Sequence, residues 1–185
     1  MAQSPIHDPE FRRIYDESFA AIRSYCIRRL SLADANDAVS EVYMVAWRKR
    51  SSIPRESLPW LYGVARNVVR NTQRSARRSL RTSARAQAEP VYPGPGADVV
   101  VVRNADDDAL VRALESLRNA DQEVLRLRAW EGLSAPQIAQ VVGCSPAAAE
   151  KRLSRAMKRL EAAVLPSQGS LHAAGKEVSD EHGAA

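Results

Sequence analysis

The chain has 185 residues, enough for one domain or two small ones, each burying only a modest core. A formal net charge of +5 and a pI near 9.6 favour polyanionic partners. Two cysteines, Cys26 and Cys144, exclude a disulfide framework, and histidines confined to the tails (His7, His172, His182) offer no metal site and no cofactor ligand set. With no apolar run of membrane-spanning length and no signal-peptide pattern, a cytoplasmic protein without membrane insertion is expected.

The charge is unevenly spread. From Arg48 to Arg85 eleven Lys or Arg face a single acid, Glu56, whereas from Ala86 to Leu125 eight acids face three Arg. Two basic stretches separated by an acidic one point to two polyanion-facing surfaces joined by a linker.

Residues 1–9 read as a flexible arm. Phe11, Tyr15, Phe19, Ile22, Cys26 and Leu30 then recur every three or four residues, which predicts a long amphipathic helix. After a break at Ser31–Ala33, Asp34 is the expected N-cap of a second helix. Ala38, Val39, Val42, Ala46 and one side of Trp47 would face its core. Asp37 and Glu41, four residues apart, share the opposite face. Three readings fit them: a solvated face, a docking surface for a basic helix, or a catalytic dyad, the last lacking any His or Lys base beside it.

Arg48, Lys49 and Arg50 place positive charge at the end of that helix, where the dipole favours it. Residues 51–59 read as a loop punctuated by Pro54 and Pro59. From about Pro59 a third helix would turn Leu61, Val64, Ala65 and Val68 inward. Its other face and its extension carry Arg66, Asn67, Arg70, Asn71, Gln73, Arg74, Arg77 and Arg78. A basic helix beside Trp60 and Tyr62 suits single-stranded or distorted nucleic acid, whose exposed bases need a stacking surface. Trp60 reads equally well as a core residue. Residues 80–107, containing PVYPGPG, form the expected linker, with a brief strand or partner contact left open at Val99–Val102.

A second helical domain is expected over 108–165. Leu110, Ala113, Leu114 and Leu117 mark one helix, and Val124, Leu125 and Leu127, running on to Trp130, another with Asp121 as its cap. Next come Ile138, Ala139 and Val142, a break at Gly143-Cys144-Ser145, and a stripe of Ala149, Leu153, Ala156, Leu160 and Val164. Gly143 supplies a positive-φ turn, Ser145 a cap, and Pro146 suits the first helical position. This is a helix-turn-helix, whose second helix can lie in a major groove. Ser145, Ala147, Glu150, Lys151 and Ser154 would face outward among Arg152, Arg155, Lys158 and Arg159. Cations there neutralise phosphates while small side chains reach base edges. Residues 166–185 read as a disordered tail.

The fold class expected is therefore all-α: two small helical domains joined by a flexible linker, the second with a helix-turn-helix. A nucleophile paired with a base, or a phosphate loop, is nowhere apparent, so a binding protein is expected rather than an enzyme.

The order of motifs resembles that of bacterial sigma factors of the extracytoplasmic-function group. DANDAVSEVYMVAW (Asp34–Trp47) is similar to an acidic helix of their second conserved region, and PWLYGVARNVVRNTQRSARR (Pro59–Arg78) to the segment that follows. EVLRLRAWEGLSAPQIAQVVGCSPAAAEKRLSRAMKRL is similar to their fourth region almost end to end. The resemblance implies residues 10–79 for core polymerase and the −10 element and residues 108–165 for the −35 element. Asp34, Asp37, Ser40, Glu41 and Trp47 would contact core RNA polymerase. Arg50, Ser51, Ser52, Trp60, Arg66, Asn67, Arg70, Asn71 and Arg74 would read and open the −10 element around a flipped base. Ser145, Ala147, Ala148, Glu150, Lys151, Arg152, Ser154, Arg155 and Arg159 would read the −35 element. An anti-sigma factor is the further partner implied. Ser40 stands where the family usually has Gln, Asn71 where it has an acid, Glu150 where Lys is common, and Ala147–Ala149 replaces a Gly-Thr-Val-like run. The runner-up is a stand-alone helix-turn-helix repressor or activator, which leaves the acidic helix and the first basic segment unexplained.

Overall fold

Asp8 sets the start of the first helix. Its carboxylate accepts from the Phe11 N–H (3.1 Å), and Pro9 occupies the first helical position, where a missing N–H costs nothing. The computed structural model describes residues 8–83 and 105–174, with side chains at 8–79 and 109–164. Within these, α1 spans Pro9–Ile27, α2 Leu32–Arg48, α3 Ser57–Ser83, α4 Ala105–Ser116, α5 Asn119–Ala129, α6 Ala135–Val142 and α7 Pro146–Ala174. A 3-10 turn at Arg50–Ser52 follows α2, and the described residues contain no strand. The all-α expectation holds.

The helices fall into two compact units, the first built on α1–α3 and the second on α4, α5, α7 and the start of α6. In the first, each of α1, α2 and α3 packs on the other two. Ile22, Tyr25 and Cys26 meet the α2 stripe of Ala35, Ala38, Val39, Val42, Tyr43 and Ala46, and Leu61, Tyr62, Ala65, Val68 and Val69 of α3. Small side chains at 35, 38 and 46 let the helices approach closely. In the second unit α7 packs on α4 and α5, around Ala109, Ala113, Val124, Leu125, Leu127, Ala149 and Ala156. Burying a side chain such as Leu127 completely stabilises by roughly 1.5–3 kcal/mol.

Several boundaries differ from those read in the sequence. Ser31, not Asp34, caps α2: its hydroxyl accepts from the Asp34 N–H (3.2 Å) and donates to the Asp34 carboxylate (2.8 Å). Pro59 lies inside the first turn of α3, where it needs no N–H partner, so the helix starts two residues earlier than expected. Val64 is only half-buried while Val69 is buried, because the α3 stripe is offset from the one expected. The helix also runs four residues past the expected linker boundary at 79, and α4 begins at Ala105 rather than 108. Leu110 is 47% exposed, its place in the core taken by Ala109. Proline forfeits one i→i−4 bond without ending α7, which continues through Pro166 to Ala174. The Val99–Val102 segment lies outside the described residues, as do residues 1–7 of the arm and 175–185 of the tail.

Candidate nucleic-acid interface

The outer face of α2 is the first surface. Asp34, Asp37, Ser40 and Glu41 are all exposed there. Asp34 is partly engaged in the cap, and the Ser40 hydroxyl bonds back to the Asn36 carbonyl (3.1 Å). Asp37 and Glu41 have no such partner among the described residues, so they stand as uncompensated negative charge. Trp47 is half-buried rather than presented: its ring meets Phe11 edge-on at 5.1 Å. Beside it α1 and α2 leave an open pocket of about 520 Å³ lined by Phe11, Tyr15, Tyr43, Met44 and Trp47, with Arg12, Asp16 and Ser40. Tyr15 and Met44 keep 37% and 51% of their surface in solvent, so this apolar patch faces outward. The patch was not legible in the sequence, because the same stripes read as core.

The 3-10 turn and α3 form the second surface. Ser51 and Ser52 are exposed, as are Asn67, Arg70, Asn71, Arg74 and Arg77, which recur at helical spacing along one side of α3. Arg66 and Trp60 are half-buried. Tyr62 is buried against Tyr25 (5.4 Å between centroids) and is no stacking surface, since it points into the three-helix core. Gln73 turns back to donate to the Arg29 carbonyl (3.1 Å). Arg50 departs from the expectation of a free cation. Its guanidinium lies 4.2 Å over the Trp47 ring, Nη1 donates to the Trp47 carbonyl (3.3 Å), and Nε lies 3.7 Å from the Asp8 carboxylate. Asp8, at the edge of the supposed arm, thus tethers the 3-10 turn to the start of α1.

The third surface is the start of α7. Two glycines with positive φ, Gly132 (66°) and Gly143 (74°), bracket α6. The Leu133 N–H closes the first turn on the Leu127 carbonyl (3.1 Å), and the Ser134 N–H and hydroxyl both donate to Gln137 (3.0 Å each). At the second turn the Gly143 N–H donates to the Ala139 carbonyl (2.9 Å), and the Ser145 hydroxyl accepts from the Ala148 N–H (3.3 Å). The sequence expectation for this turn is met feature by feature. Cys144 is half-buried, because the turn leaves it beside solvent.

Ser145, Ala147, Ala148, Glu150, Lys151, Arg152, Ser154 and Arg155 are all exposed around the first three turns of α7. Ser145 spends an acceptor on the cap but keeps its hydroxyl proton. Arg159 is different: it forms an ion pair with Asp121 of α5. Asp121 is therefore not the cap of α5. It lies in the first turn and is buried, and Arg118 holds the cap position without a side-chain bond. Trp130, expected to continue the α5 stripe, is 48% exposed at the helix end. Among the described residues no group of His, Cys, Asp and Glu could hold a metal, and no helix is long and apolar enough to cross a membrane.

Comparison with known proteins matches residues 107–160 to the family model of sigma-70 region 4. The chain is 33% identical over 130 residues to the probable RNA polymerase sigma factor RfaY of Xanthomonas campestris pv. campestris, covering 68% of this chain and 32% of that relative. It thus spans about a third of that relative's length. It is 28% identical over 141 residues to the RNA polymerase sigma factor NccH of Alcaligenes xylosoxydans xylosoxydans, covering 74% of this chain and 76% of that one. Among solved structures it is similar to the sigma factor RpoE from Bartonella quintana, crystallised with the anti-sigma factor NepR. That likeness has a TM-score of 0.61 and 25% identity, over 85% of this chain and 98% of that one. CnrH, solved with the cytosolic domain of CnrY, shares the fold at a TM-score of 0.57 and 22% identity, over 84% of this chain and 88% of that one.

Proposed function

We propose that this chain, whose residues 107–160 match the sigma-70 region 4 model, is an alternative sigma factor of the extracytoplasmic-function group. In this reading it binds core RNA polymerase and directs promoter-specific initiation in the cytoplasm. It supplies recognition, and the polymerase makes the bonds. Residues 10–79 serve polymerase and the −10 element, and residues 108–165 the −35 element.

The observation that carries this reading is the division of surfaces within one chain. An acid-faced helix whose Asp37 and Glu41 have no counter-charge among the described residues accompanies a basic α3 face and an exposed outer face at the start of α7. A stand-alone repressor needs only the last. Asp37 and Glu41, with Asp34, Ser40 and the Trp47 edge, would meet a basic helix of the polymerase. The exposed Ser51, Ser52, Asn67, Arg70, Asn71 and Arg74, with the half-buried Trp60 and Arg66, would hold the separated −10 strand, and Arg50 would shape their loop from behind. The exposed residues at the start of α7, from Ser145 through Arg155, would read the −35 duplex. By likeness to the Bartonella factor bound to NepR, an anti-sigma partner would cover these surfaces, the apolar pocket beside Trp47 included.

Run-off transcription with purified core polymerase on a pool of promoters from the source genome tests the proposal. Specific starts that depend on the added chain are expected, and their alignment would yield both promoter elements. Tight duplex binding by the chain alone, with no dependent initiation, would establish the repressor instead.

A further inference from the structure

Among the described residues, Asp121 is the only charged side chain that is buried, at 5% exposure. A carboxylate withdrawn from water needs a counter-charge. Arg159, 38 residues away on α7, supplies it through Nη1. The arginine stem stays half in solvent, at 48% side-chain exposure. Arg159 is also poorly placed to read bases. It lies fourteen residues beyond the Ser145 cap, about 20 Å along the helix axis, whereas a major groove is roughly 12 Å wide. It nevertheless shares a face with Arg152 and Arg155, seven and four residues before it. Turning α7 about its own axis would break the ion pair and swing those two arginines away together.

We infer that Arg159 is a positioning residue: through Asp121 it fixes the rotation of α7 on α5 and so aims Arg152 and Arg155 at the duplex. This rests on the reading of α7 as the −35 helix. The pair adds no contact with DNA. It holds the helix that makes the contacts.

The test uses the full chain with Arg159→Ala, Arg159→Lys, Asp121→Asn and the double variant Asp121→Asn/Arg159→Ala. Amide hydrogen exchange is read over residues 146–158. Run-off transcription is compared on promoters with intact and scrambled −35 elements, across a range of salt concentrations. Both Arg159→Ala and Asp121→Asn should speed exchange and lower the discrimination for the intact element about fivefold, the size of a coupled charge pair that is partly exposed. The double variant should be no worse than the worse single one, and Arg159→Lys should recover most of the loss. The salt slope should stay at its original value. Loss in Arg159→Ala alone, with the slope smaller by about 0.9, would make Arg159 a phosphate contact and overturn the inference. Unchanged exchange in every variant would overturn it equally. If the unaltered chain drives no initiation, the sigma reading fails, while exchange still decides whether the pair locks α7.

Discussion

At the scale of single residues, side-chain partners decide what a polar group is available to do. The Ser18 hydroxyl donates to the Ile14 carbonyl (2.6 Å), so the buried Tyr43 hydroxyl, 2.8 Å away, donates to Ser18. Burial pushes the Tyr43 phenol up to about 12 from its ordinary 10.0. A group whose pKa is raised by folding stabilises fully below its unfolded value and loses that stabilisation as pH climbs through the folded one. The first unit should therefore weaken between pH 10 and about 12. Tyr43→Phe should cost about 1 kcal/mol below pH 10 through the lost hydrogen bond, and should flatten the alkaline decline. Denaturant titrations of both proteins from pH 8 to 12 measure this; parallel declines would show that another group is responsible. The same logic separates Arg50 from Arg70 and Arg74. All three read alike as cations in the sequence, but Arg50 is held by Trp47 and Asp8.

At the scale of elements, α2 presents two unlike faces. Its inner stripe of Ala35, Ala38, Val39, Val42, Tyr43 and Ala46 is buried, with the Tyr43 hydroxyl satisfied by Ser18, while Asp37 and Glu41 stand in solvent four residues apart. Like charges at that spacing cost a few tenths of a kcal/mol in an isolated helix, so the pair does not serve the stability of α2. Replacing both, as Asp37→Arg with Glu41→Arg, should abolish binding to core polymerase and leave the helical circular-dichroism signal and melting temperature near the original values. Titration against fluorescently labelled core polymerase gives the affinity, and an unchanged value would remove α2 from the polymerase interface. In the helix-turn-helix, Gly143, Ser145 and Pro146 together shape the turn that sets the start of α7. Among the described residues, the exposed side chains of α7 from Ala147 to Arg155 make no hydrogen bond or ion pair, unlike Ser145 in the cap and Arg159 on Asp121.

At the scale of the whole molecule, the basic charge is concentrated where the acidic α2 face is not. Arg70 and Arg74 of α3 belong to one compact unit, and Arg152 and Arg155 of α7 to the other. Sites with no shared partners contribute additively in free energy, within roughly 0.3–0.5 kcal/mol. Arg70→Ala/Arg74→Ala should reduce initiation through the −10 element and Arg152→Ala/Arg155→Ala through the −35 element. The fourfold variant should lose about the product of the two losses, within about twofold. Run-off yields from one promoter, measured for the three variants at one salt concentration, check this. A combined loss no larger than either alone would mean that both pairs act on a single step.

Local chemistry makes much of this protein legible in its sequence. A three-to-four residue period announces a helix because each turn returns to the same face, and α1, α2 and α5 follow from it. Gly143, Ser145 and Pro146 announce the helix-turn-helix because each satisfies a backbone need within four residues of itself. The exposed acids of α2 and most of the outer α7 residues were recoverable on the same grounds. What a helical period cannot express is the partner on another helix. The diversion of Arg50 to Asp8, the burial of Tyr62 on Tyr25 and the pairing of Asp121 with Arg159 join residues far apart in the chain. Charge and aromaticity mark such residues as available; only packing in three dimensions decides whether they face solvent or each other. The helices and the helix-turn-helix were therefore readable from local periodicity and turn chemistry, whereas which arginines and aromatics stay exposed depended on contacts between helices.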